Sequence, residues 1–108
     1  MTVQKAIALA RALRPCELSD EMLSQFLLEL EEDLAFRIRG EGMVAPCTAI
    51  IRNELSVPAP FDRIYWLYLT SLIDFSMGAT ERYAVSDALF REARDDYAKW
   101  MRRKGGDV

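Results

Sequence analysis

The sequence contains no histidine, which is the side chain most often used for acid–base chemistry near neutral pH. Imidazole is therefore excluded as a general base, as an activator of a nucleophile and as a metal ligand. Only two cysteines occur, Cys16 and Cys47, and their separation of 31 positions does not match the ligand spacing of zinc sites. We therefore expect neither a metal nor a cofactor.

Motifs for phosphate binding and for nucleophilic catalysis are also missing. The sequence has no GxxxxGK[ST], GxGxxG or GxSxG segment, which are the patterns of phosphate-binding loops and of the nucleophile elbow. A lysine could replace histidine as a base, but none of the three lysines, Lys5, Lys99 and Lys104, lies in an apolar setting. These absences predict a protein that is not an enzyme.

Long apolar runs are absent as well. Val57–Met77 is the most apolar stretch, but Thr70, Ser71 and Asp74 interrupt it, whereas a membrane-spanning helix needs about 20 predominantly apolar residues. Only 5 Gly and 4 Pro occur, which argues against long disordered segments. We expect one soluble domain, residues 1–108, that is not associated with a membrane.

The first 15 residues do not resemble a signal peptide. Lys5, Arg11 and Arg14 are spread through them, and no cleavage site follows an apolar core. We therefore expect a cytosolic protein with reduced thiols, and a disulfide is the alternative. The net charge of -3 also lacks the strongly basic balance that is typical of nucleic-acid-binding domains.

What the sequence does contain is helical periodicity. Apolar residues recur at spacings of three and four, which predicts a small all-α bundle of four helices. Thr2 and Ser19 suit the N-caps of the first two helices, Pro60 suits a first turn, and Thr80 suits the N-cap of the last helix. The predicted ranges are 2–13, 20–39, 60–77 and 80–103, with a long irregular loop between the second and third helices.

The third and fourth helices are predicted to form the core. Apolar residues cover most of the circumference of the third helix, which indicates a central helix packed on several sides. In the fourth helix, Tyr83, Phe90 and Tyr97 are spaced by seven, Ala93 and Trp100 fill the alternate positions, and Leu89 and Met101 widen the stripe. The predicted core residues are Tyr65, Tyr68, Leu69, Leu72, Ile73, Asp74, Tyr83, Phe90, Tyr97 and Trp100.

Asp74 is a carboxylate late in an otherwise apolar helix. Burial of an unpaired carboxylate is costly, so we expect it to pair with a nearby donor. Arg82, Tyr83 and Arg91 are close enough in sequence to be candidates. We interpret Asp74 as a structural carboxylate, because a catalytic acid would require a second titrating group in a pocket.

Two clusters of charge lie on the predicted helices. Glu29, Glu31, Glu32 and Asp33 crowd the outer side of the second helix, and this run is either a solvated face or an electrostatic partner surface. The last helix ends on four cations, which either complement the helix dipole or dock on an acidic neighbour. These cations are Lys99, Arg102, Arg103 and Lys104.

The segment between residues 40 and 60 is long for a connection within a small domain. Residues 48–52 have some strand character, or could form a turn of helix. Val44, Ile50 and Ile51 either fold back onto the core or meet a neighbouring subunit, and the sequence favours neither outcome.

The second half of the chain carries an ordered pattern of residues. It begins with Pro-x-Pro-aromatic-Asp at 58–62, continues with Tyr65, Tyr68-Leu69 and Ile73-Asp74, and passes a glycine-containing turn. It ends with Tyr83-x-x-Ser86, Phe90 and Tyr97-x-x-Trp100. Over residues 55–103 this pattern resembles the head–tail connector family of tailed bacteriophages, also called head-completion or adaptor proteins. The chain departs from it at Met77 and in a shorter, less acidic link between the second and third helices.

The resemblance implies a small all-α structural subunit without enzymatic activity. Such subunits assemble as a ring beneath the portal protein after DNA packaging, extend the DNA channel and offer a docking surface to the next head-completion or tail protein. The expected location is the head–tail junction of the virion, and the host bacterial cytoplasm during assembly. The expected partners are further copies of the chain, the portal protein and the next protein of the tail. DNA is expected to be enclosed without sequence-specific binding.

Two other functions fit the composition. One is a small DNA-packaging or DNA-binding helical subunit, and the other is a helical adaptor outside viruses. For the connector, the candidate oligomer and partner interface residues are Glu29, Glu32, Val44, Ile50, Ile51, Arg52, Arg102, Arg103 and Lys104.

Overall fold

The computed structural model describes residues 1–38, 40 and 54–106 of the chain. These residues form four helices, α1 (Val3–Leu13), α2 (Asp20–Arg37), α3 (Arg63–Ser76) and α4 (Thr80–Gly106). The predicted all-α fold of four helices is confirmed in these residues. None of the described helices is long and apolar enough to cross a membrane.

The first two helices begin where their capping residues predict. The Thr2 hydroxyl accepts a hydrogen bond from the Lys5 amide at 3.0 Å, and the Ser19 hydroxyl accepts one from the Met22 amide at 3.1 Å. Each bond satisfies one of the backbone donors that a helix start leaves unpaired. Because caps act within three residues, the sequence alone is enough to place them.

The start of α3 differs from the prediction. Pro60 does not lie in the first turn of the helix, because residues 58–61 form a separate turn in which the Phe61 amide bonds to the Pro58 carbonyl at 2.9 Å. The Ala59–Pro60 peptide bond within this turn is cis. The helix begins at Arg63, and Asp62 occupies the N-cap position without a side-chain capping bond.

The turn between α3 and α4 is built around Gly78, whose φ of 70° is favourable only for glycine among common residues. The amides of Gly78 and Ala79 bond back to the α3 carbonyls of Phe75 and Asp74. Thr80 was predicted as the N-cap of the last helix, but it is the first helical residue, and its hydroxyl donates to the Gly78 carbonyl at 3.5 Å. The helix also extends beyond the predicted end at residue 103.

The helices alternate in direction around α3. Arg11 near the end of α1 pairs with Asp20 at the start of α2, and Arg63 at the start of α3 pairs with Asp96 late in α4. Because Arg14, just after α1, pairs with Asp74 near the end of α3, helices α1 and α3 run one way, and α2 and α4 run the other way. Helix α3 packs against all three others, as predicted for a central helix.

The core agrees with most of the predicted residues. Tyr65, Leu69, Ile73, Asp74, Phe90 and Tyr97 are buried, whereas Tyr68, Leu72, Tyr83 and Trp100 are half-buried. Ala93 is buried in the α4 stripe, and Met101 packs against the core. Leu89 was predicted to widen this stripe, but it is 47% exposed, because it lies on the flank of α4 that turns away from α3.

The end of the irregular segment packs on the bundle. Leu55 and Val57 are buried, and the Leu55 amide bonds to the Met1 carbonyl at 3.0 Å next to a single antiparallel bridge between Thr2 and Glu54. The predicted interface residues Val44, Ile50, Ile51 and Arg52 lie outside the described residues, as does residue range 48–52.

Candidate interaction surfaces and two buried carboxylates

Glu31 does not lie on the outer side of α2, where the sequence analysis placed it. Its side chain is buried, and its carboxylate accepts hydrogen bonds from the Ser56 amide and the Ser56 hydroxyl, both at 3.1 Å. The Tyr65 hydroxyl donates a third hydrogen bond to this carboxylate and accepts one from the Val57 amide at 2.8 Å. We call Glu31, Ser56 and Tyr65 the Glu31 cluster.

The Glu31 cluster joins three segments of the chain. Helix α2 supplies the carboxylate, α3 supplies the phenol, and the segment before α3 supplies Ser56 and the Val57 amide. Burial, and then the adjacent negative charge of Glu31, raise the pKa of Tyr65 well above its ordinary value. The phenol therefore stays protonated over the physiological pH range and remains able to donate to Glu31.

Asp74 is the second buried carboxylate. It accepts hydrogen bonds from Arg14 Nε at 2.9 Å and from the Ser86 hydroxyl at 2.6 Å, while Arg82 Nε lies 4.0 Å away. Of the partners predicted for it, only Arg82 is near, because Tyr83 packs on the Phe75 ring and Arg91 pairs with Asp87. The sequence analysis missed Arg14, which is 60 positions away.

Both carboxylates accept bonds from side chains or backbone amides of other segments. A buried charge satisfied in this way holds segments in one arrangement, since removing one partner leaves the other without compensation. The arrangement supports the structural interpretation of Asp74.

The outer side of α2 remains partly acidic. Glu29 and Glu32 are exposed and form no ion pair within the described part of the chain, whereas Asp33 pairs with Arg37 one turn further on. Two large apolar side chains flank these acids, with Met22 46% exposed and Phe36 71% exposed. We call the exposed stripe Met22, Gln25, Glu29, Glu32 and Phe36 the α2 outer stripe.

The acidic residues of α2 also change the pKa of a neighbouring tyrosine, Tyr68 of α3. Burial first, and then the charges of Glu29 and Asp33, raise the pKa of Tyr68. The half-buried phenol of Tyr68 therefore lies close to the negative charges of α2.

The four cations at the basic end of α4 are exposed. Lys99, Arg102 and Arg103 form no ion pair among the described residues, and the Lys104 ammonium lies 5.1 Å from the centre of the Trp100 ring. Phe61 and Asp96 complete an open recess beside these cations. No ion pair joins this basic end to Glu29 or Glu32 in the described structure, so the two predicted charged surfaces are separate within one molecule.

A third surface was not found by the sequence analysis. Phe75, Met77, Val85 and Leu89 are between 47% and 67% exposed, near the turn that joins α3 to α4 and along the start of α4. The Phe75 and Tyr83 rings pack against each other with their centres 5.4 Å apart. The sequence contained one indication of this surface. Val85 is apolar, but it does not share the spacing of seven that joins Tyr83, Phe90 and Tyr97, so it falls outside the buried stripe.

Comparisons of the chain with protein-family models, with curated proteins and with solved structures found no match.

Proposed function

We propose that this chain is a structural subunit of a phage head–tail junction. In this proposal, copies of the chain assemble as a ring on the portal protein after DNA packaging. The ring extends the DNA channel and presents a docking surface to the next head-completion or tail protein. The role is assembly, without catalysis and without a cofactor.

The observation that carries the proposal is the contact made by the residues that resemble the connector family. The Ser86 hydroxyl bonds to Asp74, the Tyr68 and Phe90 rings are 5.0 Å apart, and the Phe61 and Trp100 rings are 5.1 Å apart. The pattern thus marks positions that contact each other across α3 and α4. A resemblance carried by residues that contact each other supports the same pair of packed helices in this chain and in the connector family more strongly than a resemblance carried by scattered residues.

The surfaces of the molecule are compatible with a ring. A ring requires a heterologous interface, in which two different faces of each subunit complement each other. The chain offers acidic residues on α2 and basic residues on α4, and no ion pair joins the two sets in the part of the chain that the structure describes.

The charge distribution also suits a DNA channel. The chain carries a net charge of -3, and four of its exposed cations, Lys99, Arg102, Arg103 and Lys104, lie close together near the end of α4. Tight, extensive phosphate contacts would oppose the passage of DNA through a ring, so a small number of cations is favourable.

Negative-stain electron microscopy tests the proposal. The purified chain is mixed with the portal protein encoded in the same gene cluster, and the same portal without the chain is the control. We expect an added ring of density on one end of the portal. If neither a ring nor binding to the portal is observed at micromolar concentrations, the proposed function is wrong, whatever the isolated chain does on its own.

A further inference from the structure

The exposed sides of α2 and α4 carry stripes with the same spacing. The α2 outer stripe has steps of three, four, three and four residues, from Met22 to Phe36. On α4, the residues Leu89, Glu92, Asp96, Lys99 and Arg103 follow the same steps, and we call them the α4 outer stripe. All ten side chains are exposed except that of Asp96, which is half-buried.

Residues at alternating steps of three and four lie along one side of a helix, so each stripe forms a continuous exposed face. We propose that the α2 outer stripe of one molecule packs in parallel on the α4 outer stripe of a second copy of this chain. This inference rests on the proposed function, because it names the subunit interface of the ring.

The side chains that this register brings together are complementary. Met22 meets Leu89, which covers two exposed apolar side chains. Glu32 meets Lys99 as an ion pair of two residues that form no ion pair among the residues that the structure describes.

The remaining positions of the register are also compatible. Phe36 meets Arg103, so a guanidinium lies on an aromatic ring that is 71% exposed in the single molecule. Glu29 meets Asp96, which has the same charge, and the guanidinium of Arg63, paired with Asp96 at 2.9 Å, reduces the repulsion between them. Gln25 meets Glu92, where an amide can donate to a carboxylate.

The directions of the helices permit this packing around a ring. Helices α2 and α4 run parallel within one molecule, and rotation about a ring axis keeps the corresponding helices of neighbours nearly parallel. Helices α2 and α4 both lie beside Tyr68 of α3, but the α4 residues on that side, Phe90 and Arg94, are not in the α4 outer stripe. The two stripes therefore do not face each other, and one molecule can use both at the same time.

Charge reversal within one chain provides the decisive test. The variants Glu32→Lys and Lys99→Glu each place like charges at the interface, and the combined variant restores an opposite pair in reversed order. We expect each single variant to weaken self-association about tenfold and the combined variant to recover most of the loss. The matched control combines Glu32→Lys with Lys5→Glu, which has the same net charge without restoring the pair, and should not recover.

Self-association is measured by concentration-dependent NMR shifts at low salt up to about 1 mM, which detects weak complexes. Thermal unfolding monitored by circular dichroism should be nearly the same for all variants, since Lys5, Glu32 and Lys99 are exposed. No concentration dependence for the natural chain, or equal recovery by the control, would overturn the interface.

Covalent trapping tests the register. In a background with Cys16→Ser and Cys47→Ser, a short bismaleimide should join Gln25→Cys of one chain to Glu92→Cys of another. Glu81→Cys, which is exposed on α4 outside the stripe, should not be joined to Gln25→Cys. Equal trapping of both pairs would contradict the register.

The outcomes separate this interface from the proposed function. If rings form on the portal but reversal at Glu32 and Lys99 has no effect, the interface is wrong and the proposed function stands. If the reversal series behaves as expected but no portal complex forms, the interface stands and the proposed function is wrong.

Discussion

At the scale of single residues, neighbouring glutamates of α2 have opposite roles. Glu31 is buried and accepts hydrogen bonds from Ser56 and Tyr65, whereas Glu32 is exposed on the outer side of the helix. The first therefore contributes to stability, and the second is available to a partner. Their adjacency makes each the natural control for the other.

Replacing Glu31 with glutamine should destabilise the monomer. The amide keeps the shape of the side chain but loses the charge, and its NH2 group must face the donors of Ser56 or Tyr65. We expect the free energy of unfolding to fall by about 2 kcal/mol, which is typical for hydrogen bonds to a charged group. Urea denaturation measures the change, and Glu32→Gln should stay within about 0.5 kcal/mol of the natural chain. Equal effects of the two variants would show that Glu31 does not hold the cluster.

The raised pKa of Tyr65 predicts that the folded state loses stability at alkaline pH. Its pKa is raised in the folded state, so above about pH 10 the unfolded chain releases this proton while the folded chain retains it. The folded state then binds more protons, and the free energy of unfolding should fall by up to about 1.4 kcal/mol per pH unit. Tyr68 contributes in the same direction.

Denaturant titrations between pH 8 and pH 11 measure this slope. Tyr65→Phe should be less stable at pH 8, because Glu31 and the Val57 amide lose a partner, but its stability should fall less steeply above pH 10. A slope unchanged by Tyr65→Phe would contradict the assigned cause.

At the scale of elements, α4 has a buried side and an outer side that its apolar residues alone do not distinguish. Tyr97 is 1% exposed against α3, and Leu89 is 47% exposed, although both were predicted to belong to one core stripe. The distinction depends on which side of α4 meets α3. Ser86, a small polar residue, lies on that side because Asp74 provides its hydrogen-bond partner.

Alanine substitutions in α4 test this assignment. Tyr97→Ala should lower the free energy of unfolding by about 3 kcal/mol or more, since it leaves a cavity where the ring contacts Phe61 and Trp100. Leu89→Ala should change it by less than about 0.5 kcal/mol at concentrations where the chain is monomeric. A large effect of Leu89→Ala on the monomer would place that residue in the core after all.

At the scale of the whole molecule, charge and shape predict weak contact with DNA. A protein that binds duplex DNA without specificity usually does so with a dissociation constant of about 1–100 μM at physiological salt. We expect this chain to bind more weakly than about 100 μM, because its net charge is -3. Fluorescence anisotropy with a labelled duplex measures the affinity.

The alternative function makes the opposite prediction. A small DNA-packaging or DNA-binding subunit should bind tightly at low salt and lose affinity steeply as salt is added. If such binding were observed, and if reversing the charges of Arg102 and Arg103 abolished it, that function would be favoured over the connector.

The helices, the caps of α1 and α2, the central position of α3 and most of the α4 stripe were determined by the sequence alone. These features depend on contacts within a few residues or on one helical period, and both are visible in a linear pattern. Only the tertiary structure decided that Glu31 is buried, that Arg14 pairs with Asp74, that α3 begins after the Pro58–Phe61 turn and that Leu89 faces outward. The physical reason is distance along the chain. The partners of Glu31 lie 25 and 34 positions away, and Arg14 lies 60 positions from Asp74, so each side chain's environment depends on how three helices pack around α3.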